Sequence, residues 1–169
     1  MSSGETIISG GGDRYTVKAI GRATFECVDP LRDLAKTLDT VKFKQIDIDL
    51  ADCQGMDSTY MGVLAMMALR AKKINAEISI YNASELNRNS LFGLGLKRLF
   101  QFKDGPVTME EQKSAESSDA SPTDKITQAT TVLEAHKTLM AVDQGNVEKF
   151  EKVVDFVQKD LDRLNQKPE

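Results

Sequence analysis

Gln45-Ile46-Asp47-Ile48-Asp49-Leu50 alternates strictly, so Ile46, Ile48 and Leu50 share one face of an extended segment while Asp47 and Asp49 share the other. One face of this strand is expected to meet a core and the other water. Residues 77–81 repeat the pattern with Ile78 and Ile80. Strands covered on both faces read instead as continuous apolar runs, so the helices should lie mainly on one face of the sheet. Between these strands, residues 58–73 place Met61, Leu64, Ala68 and Ala71 at spacings of three and four, as a helix does. Both connections are too long for hairpins, which predicts a right-handed βαβ unit with two parallel strands over 45–81.

Working outward, residues 6–9 and 15–21 read as extended segments split by Gly10-Gly11-Gly12-Asp13, a hairpin signal. Asp29-Pro30 then gives a capping residue and the residue best tolerated in a first helical turn. Leu31, Leu34, Ala35, Leu38 and Val41 continue at helical spacing. A third helix is predicted over 84–94, ending near Gly93 and Gly95, and 99–102 reads as a closing edge strand. The expected architecture is α/β, a mixed sheet of about five strands with helices mainly on one face.

The chain changes character after residue 102. Residues 103–124 collect Gly105, Pro106, Pro122, six acidic residues and four serines, and read as a solvated acidic linker. Beyond it, Ile126, Ala129, Leu133, His136 and Met140 step by three and four. Val147, Phe150, Val154, Val157, Leu161 and Leu164 form a heptad-like seam. Asp143-Gln144-Gly145-Asn146 has the chemistry of a turn, so 125–166 should fold as an antiparallel helical hairpin after a first domain over 1–102. Two helices bury little by themselves, so the seam needs a partner. A second copy forming a four-helix bundle, and hence a homodimer, is the first expectation, ahead of the wet face of the sheet or another protein.

Composition excludes several classes of function. Up to Phe102 the chain carries 13 Lys/Arg against 12 Asp/Glu, and beyond it 9 against 14, so the net charge of −4 arises in the tail. No basic stripe is available to neutralise a row of phosphates, which argues against direct nucleic-acid binding. No apolar run is long enough for membrane insertion, and Cys27 and Cys53 have no spacing partners, so a reducing cytoplasm and two small buried thiols are expected.

The loop leaving the Ile/Asp strand runs Asp52-Cys53-Gln54-Gly55-Met56-Asp57-Ser58-Thr59-Tyr60-Met61-Gly62-Val63-Leu64. It lies at the carboxyl end of a parallel strand and the amino end of a helix, where unpaired N–H groups and the helix dipole favour negative charge. Asp57, Ser58 and Thr59 are also what helix starts prefer for capping, and on residue chemistry alone an N-cap cluster is the simpler reading. Met56, Met61, Met66 and Met67 crowd the same region. Flexible thioethers suit surfaces that adapt to partners, although Met66 and Met67 read better as core, and Met61 is the best candidate for an exposed apolar contact.

Asp57-Ser58-Thr59 followed by Gly62 and Leu64, the preceding Ile/Asp strand and the later Leu91-Phe92-Gly93-Leu94-Gly95-Leu96 resemble the STAS domain of bacterial anti-sigma factor antagonists over about residues 15–102. The resemblance implies a cytoplasmic, non-catalytic module of signal transduction and transcription regulation. It also implies a phosphoprotein whose partner is an anti-sigma factor or serine/threonine switch kinase. By position the phosphoacceptor is Thr59, with Ser58 the alternative; Asp57 and Asp52 would support the site, and Tyr60, Met61 and Met56 would meet the partner. An accessible Thr59 oxygen is required. A phosphoryl group brings about −1.5 to −2 charge against roughly +0.5 at a helix end, so binding to an acidic or apolar surface should weaken. Two features depart from the family pattern: Tyr60 stands where a small glycine is common, and the tail after Asp124 is no part of the minimal module. The same fold also serves as a non-phosphorylated subunit or scaffold docking on a transporter ATPase, which is the alternative function.

Other chemistries find little support. His136 is the single histidine, on a tail seam where packing is the ordinary role, and no positioned nucleophile can be named for it. Asp47, Asp49, Asp52 and Asp57 lack the further acidic pair of a magnesium-binding receiver, so no metal is expected. Gly10-Gly11-Gly12 joins extended segments without opening a helix, so no nucleotide cofactor is expected either.

Overall fold

A computed structural model describes residues 4–109 and 124–166. Strands β1 (Glu5–Gly11) and β2 (Arg14–Ala23) form an antiparallel hairpin in which Gly11 faces Arg14. The two-residue turn is made possible by Gly12, whose φ of 66° a side-chain-bearing residue adopts at a cost. Next come a short 3-10 turn (Phe25–Cys27) and α1 (Asp29–Leu38), with Pro30 in its first turn. Asp29 falls inside this helix, not at its cap; Val28 precedes it without a side-chain cap bond.

Strands β3 (Gln45–Asp49) and β4 (Cys53–Met56) precede α2 (Ser58–Lys73), β5 (Glu77–Tyr81), α3 (Glu85–Gly93) and β6 (Gln101–Lys103). The sheet order is β1-β2-β3-β5-β6, antiparallel only at β1-β2, and β4 pairs in parallel with the far end of β2. There are thus six strands where about five were expected. The extra one is Cys53-Gln54-Gly55-Met56, too short and too glycine-dependent to be read as a strand.

The apolar face behaves as its alternation requires. Val17, Ile46, Ile48, Ile78 and Ile80 are buried, and α1 lays Leu31, Leu34, Ala35 and Leu38 into the same core with Val63, Leu64, Met67 and Ala68 of α2. Each fully buried aliphatic side chain contributes roughly 1.5–3 kcal/mol of transfer free energy. Cys53 is buried, and burial pushes its thiol pKa up; Cys27 is half-buried.

The opposite face is not wet. Asp47 and Asp49 are only 4% and 6% exposed. Asp47 pairs with Arg14 at 2.7 Å, and Asp49 pairs with Lys18 at 3.2 Å. Asp49 also accepts from the Ala51 N–H and from Asn82, whose side chain holds the backbone of Gly105 by a donor and an acceptor. Pro106, Val107 and Thr108 then border a 350 Å³ recess floored by Arg14, Thr16, Asp47 and Tyr81. Residues 104–109, expected to be solvated linker, therefore begin as a strap across the polar face; 110–123 lie outside the described residues.

The tail forms α4 (Lys125–Val142) and α5 (Gly145–Asn165). The polar face of the sheet does not receive them. The α5 seam, with Leu161 buried and Phe150 half-buried, lies along α4, and α4 in turn lies along α2 of the same chain. Buried Thr131, Ala135 and Leu139 recur at i, i+4 on α4, while the expected seam residue Ile126 is 41% exposed. A helix sandwiched between two others buries two stripes, which a one-face reading misses.

Candidate functional site

The start of α2 is fixed by its capping aspartate. Asp57 Oδ1 accepts from the Tyr60 N–H and Oδ2 from the Phe25 N–H, both at 2.9 Å, while the Asp57 N–H donates to the Ala23 carbonyl at 3.0 Å. One residue thus caps the helix and ties it to the end of β2 and the following turn. Asp52 is placed elsewhere: its carboxylate pairs with Lys18 at 3.1 Å, on the polar face of the sheet. Burial alone would lower the Lys18 pKa, but the hydrogen bonds that Lys18 donates to Asp52 and Asp49 outweigh it and hold the pKa above its ordinary range.

Three successive side chains at the helix start meet three environments. Ser58 is half-buried, and its Oγ lies 2.7 Å from Nε2 of His136. The Nδ1 of His136 lies 2.7 Å from the Val132 carbonyl, which can only accept, so Nδ1 carries a proton; in the neutral ring Nε2 is then the acceptor and Ser58 the donor. His136 is 4% exposed and meets the Phe150 ring edge-on at 4.9 Å.

Thr59 was expected to be accessible and is not: it is 5% exposed. It lines a cavity of about 20 Å³ with Phe25, Val28, Asp29, Gln128, Thr131 and Val132, enough for roughly one water molecule. The physical reason is α4, whose first turns lie over it.

Tyr60 was expected at the partner surface beside the hydroxyl, yet it is fully buried. Its hydroxyl is 2.8 Å from Thr6 Oγ1, and because Thr6 spends its own proton on the Cys27 carbonyl, Tyr60 is the donor. Desolvation pushes the phenol pKa far up, partly opposed by the Thr6 hydrogen bond. Met61, the expected exposed contact, is also buried in the core; Met56 is half-exposed. The large exposed ring near this turn in space is Phe25, whose N–H binds Asp57.

The cover over α2 rests on close backbone approach. A Cβ on Gly62 would stand 2.5 Å from the Ala135 carbonyl oxygen and 2.6 Å from Ala135 Cβ, so only glycine permits this contact. At its turn the hairpin is anchored on the carboxyl end of α3. Asn146 donates to the carbonyls of Leu94 and Leu139 at 2.9 and 2.7 Å, and Lys149 donates to Gly93 at 2.8 Å. Gly95, in the left-handed region at φ 74°, leaves room for Asp143. His136, Asn146 and the Gly62–Ala135 contact were not read from the sequence as parts of the site. The available signal was a lone polar ring on an apolar seam, which when buried requires a partner.

Comparison of the whole chain with solved structures bears on this arrangement. The anti-sigma factor antagonist SpoIIAA in its unphosphorylated form superposes with a TM-score of 0.51 at 13% identity, covering 60% of this chain and 89% of that one. The chain has the STAS fold. The Bacillus cell fate determinant SpoIIAA in its phosphorylated form gives 0.51 at 14% identity, covering 60% of this chain and 91% of its own. An anti-sigma factor antagonist from Mycobacterium paratuberculosis gives 0.50 at 17%, covering 60% and 86%. Neither a protein-family model nor a curated protein matches the sequence. Each superposition accounts for a STAS module only and leaves a large part of the chain without a counterpart. Among the described residues, no group of three or more His, Cys, Asp or Glu could hold a metal ion, and no helix is long and apolar enough to cross a membrane.

Proposed function

We propose that the protein is a STAS regulatory module of the anti-sigma factor antagonist type, switched by phosphorylation of Thr59 at the start of α2. The observation that carries this reading is a hydroxyl pair, Ser58 and Thr59, directly after an aspartate cap on this fold. The fold is shared with a protein known in unphosphorylated and phosphorylated forms. In the transfer, Thr59 Oγ1 forms a bond to the γ-phosphorus of a nucleoside triphosphate carried by a partner kinase. The bond to the departing nucleoside diphosphate breaks, and the hydroxyl proton passes to a base of the kinase or to water. The helix end offers partial positive charge to the product, whereas Asp57 opposes it. The partners on this reading are an anti-sigma factor and the kinase, in a bacterial cytoplasm.

Burial of Thr59 favours a second reading, a STAS scaffold that docks on its partner, such as a transporter ATPase, without modification. Phosphopeptide mass spectrometry of the protein isolated from its host separates the two, on the tryptic peptide 45–70 that holds both hydroxyls. A phosphoryl group on Thr59, with partner capture lost in Thr59→Asp and kept in Thr59→Ala, is the expected result. An unmodified peptide and equal capture by wild type and both variants would establish the scaffold.

A further inference from the structure

We infer that the C-terminal hairpin is a displaceable lid on the switch turn of α2, latched by Ser58 and His136, and that a closed lid and a phosphoryl group on Thr59 exclude each other. The second half of this statement rests on the phosphorylation reading above; the first stands on packing alone.

Volume argues for exclusion. The space beside Thr59 is about 20 Å³, bounded by Thr131 and Val132 of the lid and by Val28 and Phe25 of the module. A phosphoryl group adds four heavy atoms and up to two negative charges, in a recess that already holds the Asp29 carboxylate and is sized for one water. No kinase can reach the hydroxyl until α4 lifts, and once the group is attached α4 cannot settle again. The modification would therefore trap the open state.

The way the lid is held argues for displacement as a unit. Its turn is pinned at the end of α3 by Asn146 and Lys149, and the arm that covers Thr59 lies at the other end of α4. Between these ends, α4 meets α2 through the contact of Gly62 with Ala135 and the Ser58–His136 hydrogen bond. This packing is close, and it carries Ala135 and Leu139 of α4 into the core shared by Val63, Leu64 and Met67 of α2. A helix that covers a domain from outside opens at lower free energy than the central strands of its sheet, here β3 and β5.

Hydrogen exchange read by mass spectrometry on the full chain tests the lid. In the wild type, amides of 128–142 should exchange at least about ten-fold faster than those of 45–49 and 77–81. His136→Ala removes the latch, and Gly62→Ala drives a methyl group into the Ala135 backbone; each should accelerate 128–142 and 59–64 by a further factor of about ten while leaving the two strands unchanged. Thr59→Val, which fits the same space, should behave as wild type, and Thr59→Asp should join the open variants. If 128–142 and the strands exchange together at one rate in the wild type and in His136→Ala, the hairpin is part of one cooperative unit and the lid is refuted. If the lid opens as stated while Thr59 in the host carries no phosphoryl group, the lid stands and only the phosphorylation reading falls.

Discussion

Two surfaces that the sequence presents as solvent-facing are covered, and they are covered by different means. Over the start of α2 lies a helix, held by the contact of Gly62 with Ala135 and by the hydrogen bond of Ser58 with His136. Across the Asp47 and Asp49 face of the sheet lies the strap 104–109, and the carboxylates are met by Arg14, Lys18 and Asn82. The first cover can lift without stranding a charge. The second is tied to buried carboxylates, whose unpaired burial is penalised heavily. A regulatory surface is better built the first way and a permanent one the second.

The sharpest way to break this comparison is at Tyr60, which belongs to the core although it adjoins Thr59. Tyr60→Ala should destabilise the fold by about 3–5 kcal/mol in chemical denaturation, as other aromatic truncations in cores do. Tyr60→Phe keeps the volume and loses one hydrogen bond, for a cost of about 1 kcal/mol. The phenol pKa is raised in the folded state, so its contribution is complete below the unfolded value of about 10 and is lost as pH rises beyond it. Tyr60→Phe should accordingly flatten the alkaline limb of stability. An Ala variant with wild-type stability would return Tyr60 to the partner surface.

Next in size is the permanence of the strap. Asp49→Ala strips the Ala51 N–H, Asn82 and Lys18 of a shared acceptor and should lower stability by about 1–3 kcal/mol. It should also raise exchange in 104–109. Asp47→Asn should do less, because its partner Arg14 has a side chain 64% exposed to water. Equal, negligible effects at both positions would mean that the polar face is covered loosely and that the contrast with α2 is wrong.

Asp57→Ala probes the turn the two covers flank. Losing a cap on Tyr60 and a bond to the Phe25 N–H should cost about 0.5–2 kcal/mol by thermal or chemical denaturation. Asp57→Asn keeps one acceptor oxygen for the Tyr60 N–H and loses the bond to the Phe25 N–H, so it should recover only part of it.

How much of this was legible follows from the range of the interactions. The strand 45–50 declares its two faces because alternation is local, and Asp57 declares a helix start because capping spans three residues. The parallel pairing of β3 and β5 followed from connection length. What covers each face was not legible, since that depends on contacts between residues far apart: Gly62 with Ala135, Asn82 with Gly105. The seam of α5 was visible as a seam, but an amphipathic stripe specifies only that a partner exists. Here the partner is the same chain. Tyr60 shows the converse: position in a motif suggested a surface role, whereas packing in the core and the Thr6 hydroxyl decide its burial.

The smallest effect expected concerns acid. Burial would raise the Asp49 pKa, but the Ala51 N–H, Asn82 and Lys18 together outweigh it, so the carboxyl is held below its ordinary range. A carboxylate depressed in the folded state contributes stability above its unfolded pKa of about 3.9, and that contribution disappears as pH falls through the folded value. Stability measured from pH 6 down to pH 2 should therefore decline more steeply in the wild type than in Asp49→Asn over the lower part of that range. Opening of 128–142 that tracks acid titration of Asp49 would show the two covers to be coupled, and the strap and the hairpin would then have to be treated as one device.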